Sequence, residues 1–292
     1  MNAQALVQTQ QQGPVLVVSI NNPPVNALGQ GVRAGLLAAV EQLEQDAALK
    51  AMLIVGQGKA FIAGADIREF GKPPMAPALP DVLNRMETGS KLVVAAIHGP
   101  ALGGGLEVAM ATHFRVALAG AKLGLPEVKL GLLPGAGGTQ RSPRLMGVKA
   151  ATELMLSGQH LSAKAALAAG LVDKLAEGND PLAAGLAYVN ELLARGVPPR
   201  RTRDLAIADK AAALAELDAI ALESVKKTRG LFSPAKIIEC VRAAVELPFE
   251  QGLKRERELF LECLNSPQRQ GLVHAFFAER ETAKIPEAKA AA

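Results

Sequence analysis

Ala95 to Ala111 reads AAIHGPALGGGLEVAMA, and the reading of this stretch decides the fold. The apolar run Leu92 to Ile97 ends in a turn at Gly99 and Pro100. Gly103, Gly104 and Gly105 follow, and then Leu106, Val108, Ala109 and Met110 read as a buried helix. Strand, glycine turn and helix together aim unpaired backbone N–H groups, backed by the helix dipole, into the turn. Glycine lets a bound group approach the backbone with no side chain in the way. One carboxylate, Glu107, sits inside this apolar segment, and carboxylates are rarely buried without a reason. It either caps or pairs locally, or it does chemistry; the stretch alone leaves both open.

Working outward, the preceding residues repeat the same device. Val15 to Ile20 is a β-branched strand, Asn21 to Pro24 a turn, and Gly31 to Gln45 an amphipathic helix with Val32, Leu36, Val40 and Leu43 on one face. Ala51 to Val55 is the next strand. Phe61 to Phe70 (FIAGADIREF) places Gly64 in a second tight loop followed by a short helix. Gly71 to Pro80 is Pro-rich and expected to be mobile. Val82 to Met86 begins a helix, and Phe114 to Leu118 is strand-like. This succession predicts an α/β layer fold with a largely parallel sheet.

Past Leu118 the texture changes. Gly124 to Arg141 (GLPEVKLGLLPGAGGTQR) holds five glycines and one acid, Glu127, between Pro126 and Val128. From Val148 the chain is Ala- and Leu-rich and helical. Ser162 is an expected N-cap, Gly170 a C-terminal stop, and Ser233 before Pro234 a further helix start. Pro248 and Pro267 divide the remaining helices, and Ile285 to Ala292 reads as a linker or frayed end.

Composition narrows the function. At 292 residues with 49% hydrophobic and 21% charged content, the chain is globular, large enough for one domain or one domain with an appendage. Aromatic residues are only 3%, which argues against a stacking platform for single-stranded nucleic acid. The net charge of +4 suits an anionic small ligand. Arg200, Arg201 and Arg203 form a short basic cluster, and Lys254, Arg255 and Arg257 alternate with Glu256 and Glu258 as a solvated helix face would. Cys240 and Cys263 make no disulfide framework or metal spacing and read as buried thiols. The four histidines form no ligand pattern, no run of about 18 apolar residues predicts a membrane span, and Met1 to Gly13 lacks a secretory signal. The expected compartment is the reduced cytoplasm, with peroxisome and mitochondrial matrix as alternatives.

Three features can converge. Gly64-Ala65 and Gly103-Gly104 each follow a strand-like run and offer backbone N–H groups, and two such donors aimed at one carbonyl oxygen make an oxyanion hole. Glu107 lies one helical turn beyond one donor, and Glu127 in the next glycine-rich loop. Two carboxylates beside one polarised group can act as general acid and base. Asp66 reads as a cap or loop-stabilising group. A dinucleotide reading of Gly135 to Gly138 fails because no β-branched strand precedes it. A serine-hydrolase elbow is absent, and the aromatics of a glycosidase site are missing.

FIAGADIREF, GPALGGGLEVAMA, GLPEVKLGLLPGAGGTQR and NPPVNAL (Asn22 to Leu28), in this arrangement, closely resemble the crotonase (enoyl-CoA hydratase/isomerase) superfamily over about Val15 to Leu175. The later helices, with GLVHAFFAER (Gly271 to Arg280), are most similar to the hydratase part of multifunctional fatty-acid β-oxidation enzymes. The resemblance implies a crotonase-like spiral of ββα units over residues 1–190 and a helical C-terminal region over 191–292. It implies a coenzyme A thioester as substrate and no separate cofactor or metal. It carries the oxyanion donors onto Ala65 and Gly104 and the two hydratase glutamates onto Glu107 and Glu127. Glu127 is then the expected proton donor and Glu107 the base. Ala60, Ala63, Gly64, Asp66, Ile67, Gly103 and Gly105 become expected substrate and CoA contacts, largely through the backbone. The implied activity is reversible hydration of 2-trans-enoyl-CoA, with Δ3-Δ2 isomerisation as a second activity; isomerase-dominant chemistry and a non-catalytic binding module are the alternatives. In multifunctional relatives a 3-hydroxyacyl-CoA dehydrogenase part follows, so the chain is expected to be a fragment of such a protein or a stand-alone one, the latter as a homo-oligomer.

Overall fold

In the computed structural model the described residues are 5–69, 72–228 and 230–282; Phe70, Gly71 and the Ile285 to Ala292 tail of the sequence reading lie outside them. The chain opens with β1 (Val7–Gln12), β2 (Val15–Ile20), α1 (Gln30–Gln45) and β3 (Ala51–Gly56). A single 3-10 turn, Ile67–Glu69, leads to α2 (Leu79–Glu87), β4 (Leu92–Ile97), β5 (Pro100–Leu102) and α3 (Gly104–Ala111). Then come β6 (Phe114–Leu118), β7 (Lys122–Gly124), a second 3-10 segment Pro126–Leu130, α4 (Gly138–Met146), α5 (Val148–Ser157), β8 (His160–Ser162), α6 (Ala163–Ala168), β9 (Lys174–Ala176) and α7 (Pro181–Ala194). Helices α8 (Lys210–Thr228), α9 (Phe232–Glu246), α10 (Phe249–Leu264) and α11 (Pro267–Thr282) complete it.

Six strands pair in the order β1-β2-β3-β4-β6-β9, parallel except for the β1-β2 hairpin, and β5-β7-β8 form a smaller sheet. The central strands are buried on both faces, which is why they read as unbroken apolar runs. Alternation assigns each side chain to a layer. Leu16, Val18, Met52, Ile54, Val93 and Ala95 face one core with α1, α2 and α3, while Val17, Leu53, Val94 and Val116 face α7. This is the α/β architecture with a largely parallel sheet and a helical C-terminal region that the sequence predicts. Among the described residues no helix is long and apolar enough to cross a membrane.

Several boundaries move. β1 (VQTQQQ) has no apolar pattern of its own and is a strand because β2 supplies its ladder. Ser162 caps α6 by accepting from the Ala165 N–H at 3.2 Å, as expected. The helix expected to start at Ser233 starts at Phe232, with Leu231 as its N-cap. The Pro-rich loop, read as mobile, is tied down over its described part: the buried Arg33 guanidinium donates to the carbonyls of Pro77 (2.8 Å) and Met75 (2.9 Å), and Gln30 donates to Ala76.

The start of α3 is packed tightly against the neighbouring backbone. A Cβ on Gly105 would lie 2.8 Å from the carbonyl carbon of Ile62, and a rigid backbone group cannot step aside. Gly105→Ala is therefore expected to cost about 1–3 kcal/mol, the range for overpacking. A urea unfolding midpoint indistinguishable from that of the parent would refute this packing.

Candidate active site

Four loops meet at the N-terminus of α3. Asn26, in the NPPVNAL stretch, adopts a left-handed φ of +56°, which Asn tolerates better than most residues. Its side-chain amide donates to the carbonyls of Gln57 (2.9 Å), Ala60 (2.8 Å) and Phe61 (3.2 Å). The Ala63 N–H donates to Val25 O at 3.1 Å, and Leu28 N–H to Gly64 O at 2.9 Å. These bonds set the course of the loop that carries Ala65. Asp66 is buried and engaged locally, accepting from the Arg68 N–H at 2.9 Å and from its guanidinium, which holds its carboxyl below the usual carboxylate range. Ile67 opens the 3-10 turn.

Gly103 precedes α3 with φ +52°, a conformation that favours glycine, and its N–H donates to Gly124 O at 2.9 Å. Gly104 is the first residue of α3, so the helix offers its N–H no acceptor. The point where a Gly104 Cβ would sit is 4.0 Å from the Ala65 nitrogen and 3.1 Å from both Leu28 Cδ1 and Leu79 Cδ2. Among the described residues neither the Ala65 nor the Gly104 N–H has a backbone acceptor. Two free donors thus lie side by side, walled by two leucines. Ala65 is exposed, Gly104 half-buried, and Ala60, Gly64, Gly103 and Gly105 are buried around them.

The two sequence-predicted glutamates converge on the same place. Glu107 is 3% exposed, and its Oε1 accepts from the N–H groups of Ala136 (2.7 Å) and Gly138 (2.8 Å). Glu127, on the Pro126–Leu130 segment, leans over Gly103: a Cβ there would be 3.0 Å from its Oε1. Glu127 Oε2 is buried without a hydrogen-bond partner among the described residues. An orphaned buried carboxylate oxygen is rare in proteins and marks a place kept for something else. Burial first, and then the charge of Glu107, push the Glu127 carboxyl well above the usual range. Burial also raises Glu107, but its two N–H donors and the Arg141 guanidinium pull it back toward the charged form. Two neighbouring carboxyls in unequal surroundings are able to divide the work of a proton carrier and a base.

A third carboxylate is here that the sequence reading placed in solvent. Glu256 is 2% exposed, whereas Lys254, Arg257 and Glu258 beside it are exposed as expected. Its Oε1 accepts from the Gly137 N–H at 2.6 Å, and its Oε2 from the Thr139 N–H (3.1 Å) and hydroxyl (2.5 Å). The signal was available: Gly252, Glu256, Leu259 and Cys263 recur at helical spacing and are the buried face of α10. The alternating charges along the chain hid that stripe. Cys240 and Cys263 are buried, and burial raises both thiols. Among the described residues no three His, Cys, Asp or Glu side chains are grouped so as to hold a metal ion.

The family model described as "Enoyl-CoA hydratase/isomerase" matches residues 10–196. The chain is 42% identical over 270 residues to the peroxisomal bifunctional enzyme of Danio rerio, covering 92% of this chain and 37% of that protein. It is 47% identical over 165 residues to a probable enoyl-CoA hydratase of Bacillus subtilis, covering 54% of this chain and 64% of the relative. Among solved structures, the carnitinyl-CoA hydratase from Mycobacterium avium matches with a TM-score of 0.72 at 25% identity, over 95% of this chain and 97% of that one. The chain thus spans little more than a third of the bifunctional relatives' length. With four sequence motifs, a two-sheet α/β fold and the family match in agreement, the chain belongs to the enoyl-CoA hydratase/isomerase family.

Proposed function

We propose that this chain adds water reversibly to 2-trans-enoyl-CoA thioesters, giving 3-hydroxyacyl-CoA, the hydration step of fatty-acid β-oxidation. The observation that carries the reading is the unpartnered, buried Glu127 Oε2 beside a Glu107 fixed by two N–H groups, both next to two free backbone donors.

The thioester oxygen accepts from the Ala65 and Gly104 N–H groups. Their pull makes C3 electrophilic and stabilises the enolate charge that develops on oxygen; one such donor is typically worth about 3–4 kcal/mol in the transition state. Glu107 takes a proton from the attacking water as its oxygen bonds to C3. Glu127, biased toward its protonated form by burial and by the charge of Glu107, delivers its proton to C2. The proton gained by Glu107 returns to Glu127 before the next turnover. The reaction is redox-neutral, so it calls for no electron carrier. The same pair can move a proton from C4 to C2, giving Δ3-Δ2 isomerisation. The Leu28 and Leu79 side chains wall the donors and form the start of an acyl site. The proposed division keeps a ββα core over 1–190 and a helical region over 191–292, joined in multifunctional proteins to a 3-hydroxyacyl-CoA dehydrogenase part. The peroxisomal names belong to relatives; for a chain of bacterial type the proposed compartment is the cytoplasm.

The test follows the ultraviolet absorbance of a short 2-trans-enoyl-CoA in the presence of the purified chain. Rapid, saturable loss of absorbance is expected. A folded chain that binds CoA thioesters yet causes no loss would overturn the hydratase reading, and conversion of a 3-enoyl-CoA alone would make isomerisation its main activity.

A further inference from the structure

Helix α4 begins at Gly138, and the four N–H groups at residues 136 to 139 point away from its hydrogen-bonded turns. They are divided between two carboxylates. Ala136 and Gly138 donate to Glu107, while Gly137 and Thr139 donate to Glu256. The loop is therefore gripped from both sides by alternate N–H groups. Gly137 has φ +93°, and with Gly135 and Gly138 it leaves the segment little stiffness of its own. The C-terminal helices close in behind it: a Cβ on Gly135 would lie 2.5 Å from the Phe260 ring, and one on Gly137 3.2 Å from Leu253.

We propose that Glu256 is a positioning residue for the hydration chemistry: by holding the Gly137 and Thr139 N–H groups it keeps the Ala136 and Gly138 N–H groups aimed at Glu107, and so fixes the base. The inference rests on the hydratase reading, and it gives the C-terminal helix α10 a part in a site otherwise built from the α/β core. Without Glu256, two buried N–H donors lose their acceptors and the loop is free to turn them toward Glu107. The side chain is set for this task by its neighbours. The Thr139 hydroxyl donates to it and accepts from the Gln140 amide at 2.9 Å, and that amide also donates to Cys240 O on α9. The charged and titratable groups that face Glu256 are Glu107 from α3, Arg141 from α4, Cys240 from α9 and Glu127 from the 3-10 segment. Burial and the charge of Glu107 push its carboxyl up to about 8.

The experiment compares the parent with Glu256→Gln, Thr139→Ser and Thr139→Val in enoyl-CoA hydration, separating kcat from KM. Amide hydrogen exchange is followed over residues 136–139. Glu256→Gln presents an amide N–H₂ where an N–H donor already points, so kcat is expected to fall on the order of 10–100-fold, as for a small misplacement of a catalytic group. KM should stay within about threefold, since no substrate contact is lost. Thr139→Ser, which keeps the hydroxyl, should match the parent, and Thr139→Val should share part of the loss. If Glu256→Gln does not fold, the Ser and Val pair decides alone. Parent-like kcat in Glu256→Gln, loss of kcat and KM together, or equal rates for the Ser and Val variants would each overturn the proposal. A parent without hydratase activity would defeat the hydratase reading instead. In that case unchanged exchange at Ala136 and Gly138 in Glu256→Gln refutes the loop clamp, and accelerated exchange supports it.

Discussion

Glutamine in place of Glu127 lowers kcat for enoyl-CoA hydration by about 10²–10⁴-fold, the usual worth of a positioned acid or base. The substitution keeps the size of the side chain and removes its acidic, titratable proton. Because Oε2 has no hydrogen-bond partner among the described residues, no structural hydrogen bond is lost there, and folding should be intact. Glu107→Gln is expected to fall in the same range for a different reason. Both loop N–H groups donate to Oε1 alone, so an amide oxygen at that position keeps the loop while abolishing the base. The pH profiles separate the two roles. In the parent, kcat should rise as Glu107 ionises and fall as Glu127 loses its proton at higher pH. Glu127→Gln should lack the upper limb. Stability moves with pH by the same group. The folded-state value of Glu127 lies above its unfolded value near 4.5, so the unfolded chain ionises first as pH rises. Stability is then greatest below that value and declines toward the folded one. The Gln variant should lose this decline and gain on the parent in thermal melts as pH rises above about 4.5. A Glu127→Gln enzyme within threefold of the parent, with its upper limb in place, would exclude Glu127 as the acid.

The candidate site was legible where its parts are local. Glycines at 103–105 and a carboxylate one turn later are adjacent in the chain, and the strand-turn-helix device fixes their relation. The parallel sheet was legible for a similar reason: strands buried on both faces show unbroken apolar runs. What stayed hidden depends on partners far away in sequence. Glu256 meets Gly137 across 119 residues, and nothing local at either position announces the other. Arg33 grips the Pro-rich loop across 42 to 44 residues, so proline content suggested mobility where a tether exists. The polar strand β1 has no periodicity to detect and depends on the neighbouring strand for its ladder. The alternating charges of α10 overlie a helical stripe of buried residues, Gly252, Glu256, Leu259 and Cys263.

Glu87→Gln should be among the most destabilising single changes in the chain. Glu87 closes α2 and is fully buried, as is the Arg141 guanidinium that donates to its Oε2 at 2.7 and 3.2 Å. Its Oε1 accepts from the Arg203 N–H at 2.9 Å, and its own carbonyl lies 3.1 Å from the ring nitrogen Nε2 of the buried His113. Burial holds His113 in its neutral form, and its Nδ1 accepts from the Val93 N–H. Removing the Glu87 charge leaves a cation in the interior opposed by no contacting carboxylate, a loss of about 3–5 kcal/mol. The consequence reaches the site, because Arg141 Nη1 also donates to Ala136 O at 3.0 Å, and the Ala136 N–H is one of the two that hold Glu107. Arg141 further stabilises the charge on Glu107. The pair thus serves both stability and chemistry, and a double variant tells them apart. Glu87→Leu with Arg141→Met replaces two buried charges by apolar side chains, a change that often leaves stability equal or improved. Stability in urea should therefore return toward the parent while kcat stays low, since Glu107 has lost both its cation and the anchor of its loop. Recovery of activity together with stability would show that Arg141 acts on the site only by keeping the protein folded.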